Sequence, residues 1–234
     1  HNRTNPIKAH LLVIDEVSMI NTFLMASLLF AVNRETTVIF VGDKDQLPAI
    51  GPGNILHDIL EFNNVPIIRL NKILRQAEKS RIITNSHKIN RGIMPDLSND
   101  KDGDFFFMEE ENSALIPDKI LELLRDRLPG KYNFNPFTDI QVLAPMYKGD
   151  AGVDAINKCL QEGLNKNPAL FTKGDVVFKK NDKFMQLVND YERDIYNGDI
   201  GFLKAVDDEE EELVFNFGDR EVNFNNSSLD DLTL

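Results

Sequence analysis

Asp15-Glu16 and Gly42-Asp43-Lys44-Asp45-Gln46-Leu47-Pro48 are the residues of this sequence best suited to chemistry, and each group follows a short apolar run. Leu11-Leu12-Val13-Ile14 leads into the first, and Val38-Ile39-Phe40-Val41 into the second. A carboxylate at the end of a buried strand can hold Mg²⁺ through water, and its neighbour can orient or deprotonate an attacking water. The neutral amide of Gln46 can donate to a terminal phosphate oxygen and accept from that water, so it would report whether the phosphate is present. Gly42 permits a tight turn where backbone must come close to a ligand. Each group has a plain structural alternative. The acids can be a strand end facing solvent, and the second stretch can be a polar strand-to-helix loop whose exit is fixed by Pro48. Arg75, within Leu74-Arg75-Gln76, is a third candidate. Its guanidinium could reach across a cleft and stabilise charge on a transferring phosphate, or form an ordinary interdomain ion pair. No Gly-x-x-x-x-Gly-Lys-Ser/Thr loop to cradle phosphates occurs in the 234 residues.

The elements that must position these groups alternate in type. Continuous apolar runs of four residues suit parallel strands covered on both faces. Leu11–Ile14, residues 37–41 and residues 65–70 are expected as strands. Residues 21–31 and 54–62 are expected as helices, with Asn21 or Ser18 as the cap of the first. The order β-α-β-α-β implies a parallel sheet with helices on both faces. A second, incomplete α/β unit follows. It has a helix over 80–91 closed by Gly92, a strand candidate over 104–109, a periodic helix over 113–128, a strand over 140–144 and a helix over 153–164. The period then becomes strand-like. Residues 176–178, 183–188, 200–205, 213–217 and 220–224 are five short strand candidates, with turns at Asn197-Gly198 and Phe217-Gly218-Asp219. The fold class is therefore α/β, with two partial parallel-sheet units and a small SH3-like β-barrel insert. The expected division is 1–72, 73–172 and 173–234.

Composition bounds the function. The 42% apolar content is ample for a packed core, and the apolar runs are too short to span a bilayer. The net charge of −12 argues against a generally basic nucleic-acid-binding surface. Much of that charge is local, in Asp207-Asp208-Glu209-Glu210-Glu211-Glu212 and Glu109-Glu110-Glu111, which read as solvated turns. Proteins that grip single strands do so through a lined channel, so overall charge does not decide. The single cysteine, Cys159, excludes an intrachain disulfide framework and reads as a buried thiol in a helix. Four histidines with one cysteine make no zinc spacing, and Phe105-Phe106-Phe107 reads as strand core. The sequence has no signal-peptide layout, and neither end has the character of a natural terminus.

In combination, LLVIDEVSM (11–19), VIFVGDKDQLPAIGPGNIL (38–56), LNKILRQAEKSRIITNSHKINRG (70–92), VLAPMYKGDAGVDAINKCLQEGLN (142–165) and NDYERDIYNGDIG (189–201) resemble the motifs of superfamily 1B DNA helicases. The likeness is to the RecD-like, exodeoxyribonuclease V alpha-chain-like group. The resemblance implies two RecA-like units around ATP and Mg²⁺, with 5′→3′ movement on single-stranded DNA. It gives Asp15 the Mg²⁺, Glu16 the attacking water, Gln46 the γ-phosphate and Arg75 the arginine-finger role. Pro52, Gly53 and Pro145 fall in segments that resemble those bordering the DNA channel, and Asn189 in one that begins the barrel insert. Lys148, after Pro145-Met146-Tyr147, could touch a phosphate or be an ordinary exposed lysine. The phosphate-binding loop and the later motifs of the family are absent, so these 234 residues are expected to be an internal piece that does not hydrolyse ATP unaided. Other subunits of a helicase–nuclease complex are candidate partners, and the cytoplasm of a bacterium is the expected location. Two other classes remain open: a non-catalytic module binding nucleic acid or a partner, and a Mg²⁺-dependent nuclease using Asp15, Glu16 and Asp43.

Overall fold

The two apolar runs that lead into the acids lie side by side as parallel strands, β1 (Leu11–Ile14) and β2 (Thr37–Phe40). They belong to a computed structural model that describes residues 1–62, 64–70, 79–207 and 212–234. Those residues fall into two units, His1–Phe107 and Met108–Leu234.

In the first unit, α1 (Thr22–Ala31) connects β1 to β2, as a parallel pair requires. Ile14 and Phe40 turn one face of the pair onto a small core of Val17, Ile20, Met25 and Leu56, the last from α2 (Ile55–Phe62). The other face, with Leu11, Val13 and Ile39, is exposed. The strand expected over 65–70 does not form: Pro66 cannot donate to a ladder, and Ile68 and Leu70 are exposed. The helix over 80–91 is present as α3 (Arg81–Asn90), capped by Ser80 Oγ on Ile83 N–H. A second set of bonds reinforces that end. The Asp104 carboxylate accepts from Ser80 Oγ, from Arg81 N–H at 2.8 Å and from Ile82 N–H at 3.3 Å. Those bonds, with Ser80 first, hold the Asp104 carboxyl below its usual range. This replaces the strand expected over 104–109. Phe107 pairs its backbone with the Asn99 side chain in both directions, and Phe106 and Phe107 are exposed, so the triple-Phe run is not strand core.

The second unit begins with helical turns. Residues 113–128 were expected as one regular helix. The chain instead forms a 3₁₀ turn (Ser113–Leu115), α4 (Ile116–Glu122), a widened π-type turn (Leu123–Arg127) and α5 (Leu128–Tyr132). Pro129 supplies no N–H to the turn before it, which accounts for the widening there. Residues 140–144 form no strand: no described segment pairs with them, and Leu143 is 88% exposed. α6 (Val153–Leu164) follows, with the bounds expected.

The rest is antiparallel. β3 (Ala169–Lys173) and β4 (Val176–Lys179) form a hairpin. β5 (Lys183–Gln186), β6 (Ile200–Asp207), β7 (Glu212–Phe217), β8 (Arg220–Phe224) and β9 (Leu232–Thr233) form a sheet ordered β8-β7-β6-β5-β9. β7 shows why: Leu213, Phe215 and Phe217 alternate inward, the period that buries one face of a sheet. They meet Phe178 of β4, Phe184 of β5 and Phe224 of β8 in one aromatic core, with Phe178 stacked on Phe184 at 4.9 Å. All five expected strands are present. The sequence reading missed β3, which carries the barrel back to Ala169, and β9, a two-residue strand. Among the described residues no helix is long and apolar enough to cross a membrane.

Candidate nucleotide-hydrolysis site

The register of the parallel pair builds the site. Leu11 lies opposite Thr37 and Ile14 opposite Phe40, so the next residues, Asp15-Glu16 and Val41-Gly42, leave the sheet together. Val41 N–H bonds to Ile14 O at 2.8 Å, and Val17 N–H bonds to Val41 O at 3.0 Å. The carboxyl ends of parallel strands are where open α/β sheets bind ligands. Between those two bonds the chain turns sharply. Glu16 sits in the left-handed region at φ 54°, uncommon for a residue with a side chain and costing on the order of 1 kcal/mol. Asp15 Oδ1 accepts from Glu16 N–H at 2.8 Å, which steadies the turn. Both acids are exposed.

Gly42 passes close to this turn. A Cβ there would lie 3.1 Å from Leu56 Cδ2, 3.2 Å from Val17 N and 3.3 Å from Ser18 N, a tight fit that a glycine avoids. The loop that follows is folded on itself. Asp43 Oδ1 accepts from Asp45 N–H, and Asp43 O accepts from Gln46 N–H at 3.2 Å. Lys44, above all, holds the Asp45 carboxyl below its usual range, with Asn90 and His87 of α3 adding to it. Gln46 is exposed on this loop. Asp15, Glu16 and Gln46 therefore share one edge. Arg75 lies outside the described residues.

Pro52 and Gly53 lie farther along the same loop, against the start of α1. Asn21 Oδ1 caps that helix by accepting from Leu24 N–H at 3.0 Å, and Thr22 N–H donates to Pro52 O at 2.9 Å. The cap is thus Asn21. Ser18 lies buried in the 3₁₀ turn Val17–Met19, and its hydroxyl has no partner among the described residues.

Pro145, Lys148 and Asn189 belong to the second unit, and all three are exposed. The Met146–Lys148 backbone folds onto α6, accepting from Val153 N–H at Met146 O and from Asp154 N–H at Tyr147 O. Asn189 opens a braced loop. Its Oδ1 accepts from Asn197 N–H, Asp190 holds Arg193, and Arg193 lies 5.2 Å over the Phe224 ring. This loop displays what the sequence reading passed over: Tyr191 and Tyr196, both exposed, with ring centroids 6.1 Å apart. Two tyrosines five positions apart in a polar loop were the available signal. Cys159 is half-buried, and burial, then Asp118, pushes its thiol up, away from the nucleophilic thiolate.

Among the described residues no three His, Cys, Asp or Glu side chains gather as a metal site. Mg²⁺ at a phosphate takes one or two carboxylates and completes its shell with water and the phosphate itself. Asp15 fits that role. For ATP the fit is half complete, because no loop of the described residues cradles the phosphates.

Comparison with known proteins bears on the whole arrangement. Residues 2–106 match the model of an AAA domain, and residues 156–217 match that of the ATP-dependent RecD-like DNA helicase SH3 domain. The chain is 34% identical over 206 residues to the ATP-dependent RecD2 DNA helicase of Deinococcus radiodurans, covering 88% of this chain and 27% of that protein. The chain resembles the RecD-like helicases along most of its length. RecBCD enzyme subunit RecD of Mycolicibacterium smegmatis is 24% identical, with 89% of this chain and 39% of that one covered. The RecD-like segment thus spans about a quarter to two fifths of these relatives. Among solved structures, a Pif1 helicase from Bacteroides in complex with ADP-AlF3 and ssDNA aligns over 93% of this chain and 53% of that one at 19% identity. Its TM-score is 0.45.

Proposed function

We propose that this segment supplies the water-activating and phosphate-sensing edge of an ATP-dependent DNA helicase that moves 5′→3′ on single-stranded DNA in repair and recombination, in the bacterial cytoplasm. The observation that carries this reading is the β1–β2 register, which delivers Asp15-Glu16 and the Gly42–Gln46 loop to one edge. In this reading Asp15 holds Mg²⁺ through water. Glu16, fixed by its left-handed turn, takes the proton from the attacking water. Gln46 bonds to the γ-phosphate, and Arg75 stabilises charge as it develops. When bound, Mg²⁺ neutralises the phosphate oxygens, and ATP supplies the bond that is broken.

Contacts to the strand are proposed for Pro52 and Gly53 in the first unit and for Pro145, Lys148 and Asn189 in the second. The exposed faces of Tyr191 and Tyr196 add stacking surfaces, which every base can use. The functional division proposed is 1–72 and 73–172 for the two RecA-like parts and 173–234 for the barrel. Partner subunits of a helicase–nuclease complex are proposed in the same terms.

The test uses the longer protein that carries this segment. ATP turnover should rise on adding oligo-dT, and Glu16→Gln should lower it by about a hundredfold or more while nucleotide binding persists. Turnover indifferent to both DNA and Glu16 would end this reading.

A further inference from the structure

We propose that Asn21 is a positioning residue that ties the Ile50–Gly53 loop to the hydrolytic acids, so that DNA held at that loop is felt at Glu16. The inference rests on the helicase reading above. It starts from an excess: the Asn21 side chain makes two bonds where a cap needs one. Its Oδ1 accepts from Leu24 N–H, which caps α1, and its Nδ2 donates to Ile50 O at 3.1 Å, 29 positions along the chain. Aspartate would cap as well and has no donor for Ile50, while serine's one O–H sits on the capping oxygen itself, an atom shorter than Asn21 Nδ2.

The neighbouring residue repeats the attachment, since Thr22 N–H donates to Pro52 O at 2.9 Å. The seat is tight. Gly51 and Gly53 lie at φ +115° and +91°, and a Cβ on Gly53 would fall 2.1 Å from Thr22 Oγ1. Upstream, Asn21 joins Glu16 through the 3₁₀ turn, whose Val17 and Ser18 are buried and whose Val17 N–H is anchored on Val41. There is little slack between the loop and the acid. The same loop also carries Gln46. A shift of Ile50–Gly53 therefore pulls on Asn21 and, through the buried turn, on Glu16. Coupling of this kind acts equally in both directions on binding.

The experiment compares Asn21→Ser, Asn21→Asp and Asn21→Ala in the longer protein, reading ATP turnover without DNA and with saturating oligo-dT, and the melting temperature. Serine and aspartate keep a capping oxygen and remove the Nδ2 that reaches Ile50. Both variants should retain the melting temperature and the DNA-free turnover, while stimulation by DNA falls about fivefold or more. Asn21→Ala should lose stimulation and also melt earlier, because the cap goes with the tie. Full stimulation in the serine and aspartate variants would overturn the proposal. So would a proportional loss of DNA-free and stimulated turnover, which is what a merely structural role produces. An unsubstituted protein with no DNA-stimulated turnover would instead sink the helicase reading on which it stands.

Discussion

On the proposed reading, Glu16 concentrates the chemistry of the first unit in one strained residue. A glycine would hold this left-handed backbone with less strain, so the turn carries its carboxylate at a conformational cost. The Glu16→Gln substitution keeps shape and removes only the base, so loss of turnover with retained nucleotide binding isolates the proton-transfer role. Tyr191 offers a separate test at this scale. Tyr191→Ala should weaken binding of oligo-dT to the longer protein about tenfold in a fluorescence titration, the effect of one lost stacking face. An unchanged affinity would place the strand elsewhere on the barrel.

Between elements, α6 is joined to the barrel at Asp182, buried at the β4–β5 turn. Its carboxylate accepts from Gln161 Nε2 at 2.6 Å, Asn165 Nδ2 at 2.7 Å and Lys179 N–H at 2.7 Å, so two residues at the end of α6 are bound to the barrel. Asp182→Ala strands Lys179 N–H and takes one of two acceptors from each amide, Gln161 keeping Val177 O and Asn165 keeping Lys180 O, and the melting curve should record a loss of about 3 kcal/mol. Burial, the largest cause, pushes the Asp182 carboxyl up from 3.8, outweighing the three bonds. The sign follows: a carboxyl raised in the folded state favours folding below the unfolded value of 3.8 and gives up that contribution as pH rises through the folded value. Asp182→Asn should therefore gain on the unsubstituted protein, in relative stability, as pH rises from 3.8 toward neutrality. Asp104, held low at the start of α3, acts in the opposite sense, its contribution fading as pH falls through its depressed value.

The same elements show what could be read without coordinates. β1 and β2 were legible from their apolar runs, α1 and α3 from period with a cap, α2 and α6 from period, and the barrel strands from alternation. The runs at 65–70 and 140–144 were misjudged because an apolar run announces a strand but cannot supply its ladder partner. The run at 104–109 failed for another reason: Asp104 and Phe107 found side-chain partners instead. Within the site, Asp15, Glu16 and Gln46 were legible as types and spacing. The second bond of Asn21, the buried joint at Asp182 and the pairing of Tyr191 with Tyr196 were not, because they join positions that only folding brings together.

For the molecule as a whole, the expectation is a division of labour. These 234 residues alone should show no ATP turnover, since they lack a phosphate cradle, and a phosphate-release assay with and without oligo-dT decides it. Their affinity for oligo-dT should be weak and fall with salt, as binding to phosphates releases counterions. Tight, salt-independent binding would favour a self-sufficient module.

The half-buried Cys159 has a practical consequence. As the sole thiol of the sequence, partly covered and kept protonated by its surroundings, it should react slowly with maleimides. A Lys148→Cys or Asn189→Cys substitution would then take up a fluorophore ahead of it. The chain comes close to being its own blank for single-molecule labelling, with no native cysteine to remove first.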